Sequence, residues 1–260
     1  MKNKSLFFSF VFSVIAASFF SCGKSISETS VPKANDPSFT EDFDSLGKAV
    51  NRGWVIANNS RPIGTIPWVQ GFFYLSQHHE YDGKLGATNT YVYDGFGGMA
   101  YSYSGTDFAM TTNNCGHRKA VISNWLISPV VEIKNGDIIR FYTRTYSNPA
   151  QGADRLQVLI NPVNSSADVG RDATSVGNFS QVILDINRDY LLEGDGSYPG
   201  TWASSKDING GSDLVVTGMP GSVAKKSRIA FRYFVEDGGP SGANSVGIGL
   251  DKFEFISVVK

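Results

Sequence analysis

Two short stretches of this sequence hold residue types that act as metal ligands or nucleophiles in other proteins. His78, His79 and Glu80 are adjacent, and both residue types bind zinc, but neighbouring side chains on a strand point to opposite faces and make a poor site. Cys115 lies two residues before His117, whereas catalytic Cys-His pairs are usually neighbours in space and not in sequence. We therefore predict a turn with a buried or idle thiol here, and no metal at the histidines.

Glu193 and Asp195 begin a pattern of acids that hydrolyses glycosidic bonds. Retaining glycosidases need two carboxyl groups about 5–5.5 Å apart, which residues on one face of a strand can provide. The full pattern, Glu-x-Asp-x-x-Glu, needs a third acid, and Tyr198 stands in that place. Because Pro199 and several glycines surround these acids, we predict a turn without catalysis. The sequence also contains no phosphate loop, nucleophile elbow or dinucleotide fingerprint.

Tyr198 and Trp202 are the candidate ligand-binding residues. Sugar rings stack on exposed Tyr or Trp faces, and these two residues lie in a glycine-containing loop segment. Packing inside the fold is the alternative for Trp202. The other tryptophans, Trp54, Trp68 and Trp125, have strand-like surroundings and are predicted to be core residues.

Composition and charge restrict the class of protein. Hydrophobic residues make up 41% of the chain, aromatic residues 13% and charged residues 18%, with 28 glycines, which is typical of a globular β-rich protein. The formal net charge of −1 lacks the basic character that accompanies phosphate-backbone binding, so no nucleic acid partner is expected. Two cysteines, Cys22 and Cys115, cannot build a disulfide framework or a cysteine-rich zinc site.

The N-terminus has the pattern of an export signal. Two lysines precede about fifteen mostly apolar residues, which are too few to span a bilayer. Phe19-Phe20-Ser21-Cys22 then resembles a bacterial lipobox, in which a lipid is attached to the cysteine sulfur and the peptidase cuts just before it; Phe19 replaces the usual aliphatic residue. We predict a lipoprotein signal peptide over 1–21 and a flexible tether over 22–37 that begins at lipidated Cys22. An ordinary secretion signal is the alternative.

Short alternating apolar and polar runs, separated by Gly, Asn and Pro, indicate strands over 38–260. Ile139, Phe141 and Thr143 share one face of such a run, and Phe253 and Phe255 share a face near the C-terminus. The pattern predicts an all-β fold, a single antiparallel β-sandwich of jelly-roll, concanavalin A-like type, with few or no helices.

Two local features of this predicted domain are one segment that fits two structures and one predicted turn. The stretch 179–192 fits a helical turn over Val182–Leu192 or a strand over Phe179–Ile186. Asn135-Gly136 predicts a tight hairpin turn between two paired strands, since both residues adopt positive dihedral angles readily.

Several blocks of the chain follow one another in an order that belongs to a known type of domain. They are EDFDSL at 41–46, NWLISPVVEIKNGDIIRFYTRT at 124–145, DRLQVLINP at 154–162, SYPGTW at 197–202, RIAFRYFVEDGGPSGANS at 228–245 and IGLDKFEF at 248–255. Together they resemble the choice-of-anchor J domain of Bacteroidetes-type lipoproteins, a relative of the cleaved-adhesin and MAM-like jelly rolls of bacterial surface proteins. The anchor here would be the acyl group on Cys22.

The resemblance implies a structural calcium site. Related jelly rolls often hold Ca²⁺ where the first and last strands meet, with acidic side chains and backbone oxygens as ligands. Carried over by position, the ligands would be Glu41, Asp42 and Asp251. The alternative is that Asp251 caps a bulge while Glu41 to Asp44 are solvated.

The anchor and the resemblance together imply a function at the cell envelope. We expect a non-catalytic binding or adhesion module that is lipid-anchored at the outer membrane, on its periplasmic or outer face, and recognises glycans or glycoproteins. One alternative is a glycoside hydrolase or other hydrolase with a non-sequential site, which two acids converging in one groove would favour. The other is a structural subunit of an envelope assembly, which a large exposed apolar patch would favour.

Overall fold

The computed structural model describes residues 36–72, 107–145 and 152–258. Cys22, the signal peptide and nearly all of the tether lie outside these ranges, as do His78, His79 and Glu80. The described ranges contain fifteen strands and two short α-helices. No helix in these ranges has the length and apolar character that crossing a bilayer requires.

One sheet contains seven antiparallel strands. Its central strands are β5 (Asp107–Thr112), β8 (Ile138–Thr145) and β15 (Gly247–Ile256). Leu250 of β15 lies opposite Ala109 of β5 on one side and Thr143 of β8 on the other. The strands of this sheet are β1 (Phe39–Glu41), β4 (Val69–Phe72), β5 (Asp107–Thr112), β8 (Ile138–Thr145), β11 (Ala203–Ser204), β12 (Leu214–Val215) and β15 (Gly247–Ile256).

A second antiparallel sheet contains six strands, in the order β10-β9-β14-β6-β2, with β3 also paired to β6. They are β2 (Val55–Asn58), β3 (Arg61–Ile63), β6 (Gly116–Ile127), β9 (Leu156–Ile160), β10 (Gln181–Ile186) and β14 (Ile229–Gly238). The remaining elements are the pair β7 (Val131–Ile133) and β13 (Lys225–Ser227), the helices α1 (Leu46–Asn51) and α2 (Ser205–Ile208), and a 3-10 turn over Asn113–Cys115.

The main hydrophobic core lies between the two sheets. The ring of Phe141 on β8 meets that of Phe231 on β14 edge to face at 5.1 Å, and Phe231 makes a similar contact with Phe253 of β15 at 5.7 Å. Ile139, Phe141 and Thr143 are fully buried as the alternation in the sequence predicts. The prediction of an all-β antiparallel sandwich is thus confirmed, and Trp54, Trp68 and Trp125 are buried as predicted.

The segment 161–179 covers the outer face of the second sheet. Trp125 and Phe179 form the centre of a second apolar cluster there, with ring centroids 5.7 Å apart. Since β9 is covered on both faces, each of its five residues is buried. This explains why Val158, Leu159 and Ile160 are apolar at successive positions, while the one polar residue of the strand, Gln157, is hydrogen-bonded to Asp185 and Arg232.

Arg232 on β14 is enclosed under this segment. Its guanidinium donates to Ser123 Oγ and Gln157 Oε1, each at 3.0 Å, and to the carbonyl oxygen of Ala173 at 2.5 Å, and it lies 3.9 Å from the ring centroid of Phe234. Burial lowers the pKa of Arg232 to about 10. These partners are neutral, so hydrogen bonds and the aromatic ring compensate the buried charge.

Both local alternatives are settled by the strand pairing. Gln181–Ile186 is a strand paired with β9, so the helical turn over Val182–Leu192 is wrong. A turn does form at Asn135-Gly136, where Gly136 has φ 96°. The strands on either side are not a hairpin pair, however, because β7 pairs with β13 and β8 pairs with β11, β12 and β15.

Candidate functional site

A pocket of about 220 Å³ lies where four strand ends of the sandwich meet. The end of β8, the start of β9, the end of β10 and the start of β15 contribute Thr145, Asp154, Asn187 and Val246 to its lining. The loop that follows β10 supplies one wall. We call this the Asp154 pocket, because Asp154 is the most deeply buried acid that lines it.

The carboxyl group of Asp154, just before β9, connects this strand to β8, β14 and β15. Its Oδ1 accepts hydrogen bonds from the backbone N–H groups of Val246 at 2.9 Å and Gly247 at 3.1 Å, and from the hydroxyl of Tyr233 on β14. Its Oδ2 contacts the hydroxyl of Thr145 at the end of β8. Only 1% of Asp154 is exposed, so the carboxyl group is part of the protein interior.

The number of protons available for the hydrogen bonds around Asp154 favours its neutral form. Thr145 Oγ1 lies 2.9 Å from the carbonyl oxygen of Gly247 as well as next to Asp154 Oδ2. A hydroxyl has one proton and cannot donate to both acceptors. If Asp154 carries a proton on Oδ2, it donates to Thr145, and Thr145 donates to Gly247. Burial raises the pKa of Asp154 above its usual value although the surrounding hydrogen bonds oppose this, which agrees with a protonated carboxyl.

Tyr198 lines the same pocket but is not an exposed platform. Its hydroxyl lies 2.7 Å from Thr143 Oγ1, which donates to the carbonyl oxygen of Gly249 at 2.6 Å, so Tyr198 is the donor to Thr143. Only 5% of Tyr198 is exposed, so its ring is not an open stacking face in this structure; its role in ligand binding stays a prediction. Trp202 is half-buried elsewhere and meets Phe108 edge to face at 5.3 Å. A single Tyr198–Trp202 surface is therefore not formed.

The backbone around the pocket is held in uncommon conformations. Asn187, Tyr190 and Ser245 have φ values of 56°, 56° and 74° although none is glycine. Asn187 is fixed by two hydrogen bonds of its side chain with the backbone of Leu191. Its Oδ1 accepts from the Leu191 N–H at 2.7 Å, and its Nδ2 donates to the Leu191 carbonyl oxygen at 3.0 Å. Ser245 is fixed by its N–H, which donates to Ala153 at 2.9 Å. Positive φ values also occur at Phe43, Arg118, Asp237 and Lys252, outside the pocket lining, so these conformations define the shape of the loops and do not by themselves mark a functional site.

The loop that forms one wall of the pocket combines apolar and acidic residues. Leu191 and Leu192 are 42% and 52% exposed and lie in its wall, followed directly by Glu193. Ser197, on the same loop, donates its hydroxyl proton to the carbonyl oxygen of Gly194 at 2.7 Å. The Ser197 hydroxyl is thus bonded within the loop, and the loop presents two leucine side chains and one carboxylate to the pocket.

Glu193 and Asp195 lie in an exposed turn, as the sequence predicts. Of the two, only Glu193 lines the Asp154 pocket. The acid that accompanies it is Asp154, from the other side of the pocket and 39 positions earlier in the chain. Sequence reasoning missed Asp154, because a single aspartate before an apolar run gives no local signal of burial.

Cys115 is buried at the end of the 3-10 turn that precedes β6, and it is not activated. Burial raises the pKa of its thiol to about 12, although hydrogen bonds with the side chains of Thr111 and Ser60 oppose the shift. The thiolate is the nucleophilic form of cysteine, so this thiol is unreactive at neutral pH. The exposed His117 follows it on β6.

Among the described residues, Glu41, Asp42 and Asp251 are not gathered into one set of metal ligands. The carboxylate of Glu41 is already engaged by Arg52, whose Nε and Nη2 donate at 3.0 and 2.5 Å. Asp251 is buried on β15 and accepts from the N–H of Lys252 at 2.7 Å, while Asp42 is exposed. Within the described ranges, no three His, Cys, Asp or Glu side chains are placed to hold one ion.

Comparisons with known proteins find distant similarity to solved structures. No protein-family model matches the chain, and no curated protein matches it. Among solved structures, it is similar to the K1 cleaved adhesin domain of Lys-gingipain from Porphyromonas gingivalis W83, with 15% identity, TM-score 0.48, and coverage of 85% of this chain and 99% of that one. The K2 domain of Lys-gingipain gives 16% identity, TM-score 0.45 and coverage of 85% and 99%. The K3 domain, from Porphyromonas gingivalis w83, gives 13% identity, a TM-score of 0.44, and coverage of 84% of this chain and 98% of that one. The resemblance to choice-of-anchor J domains stays a prediction.

Proposed function

We propose that this protein is a lipid-anchored binding or adhesion module of the cell envelope that recognises glycans or glycoproteins through the Asp154 pocket. The observation that carries the proposal is a preformed pocket whose buried polar groups are already bonded within the protein. Such a pocket offers shape and charge to a ligand without reorganising, which lowers the entropic cost of binding.

The bonding of Asp154 favours recognition over catalysis. A general acid must come within hydrogen-bond reach of the atom that it protonates. Both oxygens of Asp154 are instead occupied by Tyr233, Val246, Gly247 and Thr145, and the group is 1% exposed. Asp154 therefore maintains the pocket and does not reach a ligand.

The volume of the pocket limits what it can hold. Sites for drug-sized molecules usually measure about 300–1,000 Å³. At about 220 Å³ the Asp154 pocket has room for one sugar residue or one side chain. We expect it to recognise a terminal or protruding group of a larger partner and not an extended oligosaccharide.

The anchor is proposed from the N-terminal sequence. Acyl chains on Cys22 would hold the domain at the membrane, since each buried methylene group contributes about 0.8 kcal/mol. The tether over 22–37 would then present the sandwich away from the lipid surface. Replacement Cys22→Ser should move the protein from the membrane fraction to the soluble fraction. Membrane retention of the variant would refute the lipid anchor.

Binding is tested on an array of glycans and glycoproteins with the full-length protein. Replacement Leu192→Ser removes part of the pocket rim and should reduce binding, while Val223→Ser, at a site 75% exposed and outside the pocket lining, should not. Equal binding by both variants would place recognition elsewhere on the protein. Silence of the wild-type protein across the array would favour the structural role in an envelope assembly.

A hydrolase is the second candidate, because Glu193 is an exposed acid on a pocket that Asp154 also lines. Asp154 would serve as the partner acid only after releasing the hydrogen bonds that occupy both of its oxygens. Two carboxyl groups across a pocket are the arrangement that glycosidases use. In that case chromogenic glycosides should be cleaved, and Glu193→Gln should abolish cleavage without changing the melting temperature. An inactive wild-type protein, tested over a panel of glycosides, would dismiss this candidate.

A further inference from the structure

The charge of the Asp154 pocket selects among ligands. Asp154 and Glu193 line it, and the described residues of its lining include no lysine or arginine. Since the hydrogen bonds of Asp154 favour its neutral form, the negative charge of this lining is that of Glu193. Glu193 is exposed at the rim, where a ligand can reach it. An anionic ligand would meet a carboxylate there with no compensating cation, so anionic sugars and phosphate groups are disfavoured.

The arginine next to Asp154 in sequence does not neutralise the pocket. Arg155 donates to both carboxylate oxygens of Asp185, at 2.8 and 2.6 Å, and its guanidinium lies 5.1 Å from the ring centroid of Phe234. Arg155 lies just before β9, and these contacts keep its guanidinium out of the pocket lining. Its charge is bound to Asp185, outside the pocket lining.

Of the two ligand types in the proposed function, a glycoprotein side chain with an apolar stem suits the pocket better than a sugar ring. A sugar ring carries several hydroxyl groups, each of which needs a partner when it is buried. The hydroxyl groups of Ser197 and Tyr198 and the amide of Asn187 are occupied within the protein. Leu191 and Leu192, by contrast, offer exposed apolar surface that methylene groups can cover.

We infer that the Asp154 pocket receives a lysine or arginine side chain of a protein partner, with its methylene stem against Leu191 and Leu192 and its cationic group beside Glu193. This inference rests on the proposed binding function and narrows its ligand from a glycoprotein in general to a basic side chain on its surface. The size of the pocket agrees with one side chain, which is long enough to place its charge beyond an apolar rim.

The test uses full-length protein in detergent and a short peptide with one lysine. Matched peptides carry arginine, or lysine acetylated on its side chain, which keeps the stem and removes the charge. Calorimetric titration should show that acetylation, and separately Glu193→Gln, weakens binding about three- to tenfold, as expected for a partly exposed ion pair. Asp195→Asn is the matched control, because Asp195 lies in the same turn but does not line the pocket. Added salt should reduce the difference between wild type and Glu193→Gln.

Several results would overturn this inference. They are equal binding of the lysine and acetyl-lysine peptides, an equal effect of Glu193→Gln and Asp195→Asn, or a preference for N-acetylneuraminic acid as an anionic probe. Binding of glucosamine without binding of the peptides would assign the cation to an amino sugar and would also overturn it. If none of the peptides binds while Leu192→Ser still weakens binding on the array, the proposed function stands and only the basic side chain is refuted. If both fail, the pocket is not the recognition site.

Discussion

Replacement Asp154→Asn tests whether the buried carboxyl group is neutral in the folded protein. Asparagine has the same shape, keeps an oxygen that can accept from Tyr233, Val246 and Gly247, and supplies an N–H donor to Thr145. If Asp154 is protonated, this variant reproduces every hydrogen bond of the wild type. We therefore expect it to fold with a melting temperature equal to or above that of the wild type at neutral pH.

Replacement Asp154→Ala sets the scale for comparison. It leaves the Tyr233 hydroxyl and the N–H groups of Val246 and Gly247 without their acceptor. Each unsatisfied buried group costs about 1–3 kcal/mol. Because water can enter the space left by the side chain, we expect about 1 kcal/mol for each of the three groups, which is about 3 kcal/mol in total. For a domain of this size 1 kcal/mol corresponds to about 2–4 °C, so the melting temperature should fall by about 6–12 °C.

The pH dependence follows from the direction of the pKa shift. The pKa of Asp154 is raised in the folded state, so the folded protein binds this proton more tightly than the unfolded chain does. The stabilisation from the protonated group is complete below the unfolded pKa of about 3.9 and is lost as the pH rises through the folded pKa. The melting temperature of Asp154→Asn minus that of the wild type should therefore increase with pH.

Differential scanning calorimetry over a pH series measures this difference, and Asp185→Asn serves as a control of opposite sign. Burial disfavours ionised Asp185, but hydrogen bonds from Arg155 and Gln157 outweigh burial and lower its pKa. Its contribution is present above the unfolded pKa of about 3.9 and is lost as the pH falls through the folded pKa, so Asp185→Asn should destabilise most at neutral pH. If Asp154→Asn lost as much stability as Asp154→Ala, with no dependence on pH, a neutral Asp154 would be refuted.

Three further predictions concern residues outside the pocket. In a Cys22→Ser variant, the remaining thiol is Cys115. Because it is buried and burial raises its pKa to about 12, it should not react with an aromatic disulfide reagent until the protein is unfolded. Reaction of the native protein at the rate of a free thiol would contradict this. Arg232→Lys should lower the melting temperature in calorimetry, since an ammonium group cannot reach three acceptors in the planar arrangement of a guanidinium, and an unchanged value would show that those hydrogen bonds contribute little. A chelator should leave the melting temperature unchanged because Glu41 is paired with Arg52, and a clear decrease would restore the calcium site.

The sequence predicted most of the sheet structure because strand periodicity is a local property. Ile139, Phe141 and Thr143 alternate with half-buried residues in the sequence and in β8. The failure at Asn135-Gly136 has a physical cause: the turn is local and forms, but the partner of each strand is chosen by contacts far along the chain. Thus β7 pairs with residues about ninety positions later, in β13, and not with β8.

The candidate site was predicted less well because its residues gain their properties from neighbours that are distant in sequence. Tyr198 was expected at the surface on residue type alone, and its burial follows from the hydrogen bond with Thr143, 55 positions earlier. Glu193 was found as an acid in a turn, which is a local feature, but its position on a pocket with Asp154 was not predicted.

From the sequence alone, the export signal, the place of Cys22 for a lipid and the β-rich character of the domain could be inferred, since each depends on residues within a few positions of one another. The tertiary structure alone decided which acid is buried and where a pocket opens. Asp154 acquires its partners from Thr145, Tyr233 and Val246, which are 9, 79 and 92 positions away, and only the packing of two sheets brings these groups together and excludes water from them.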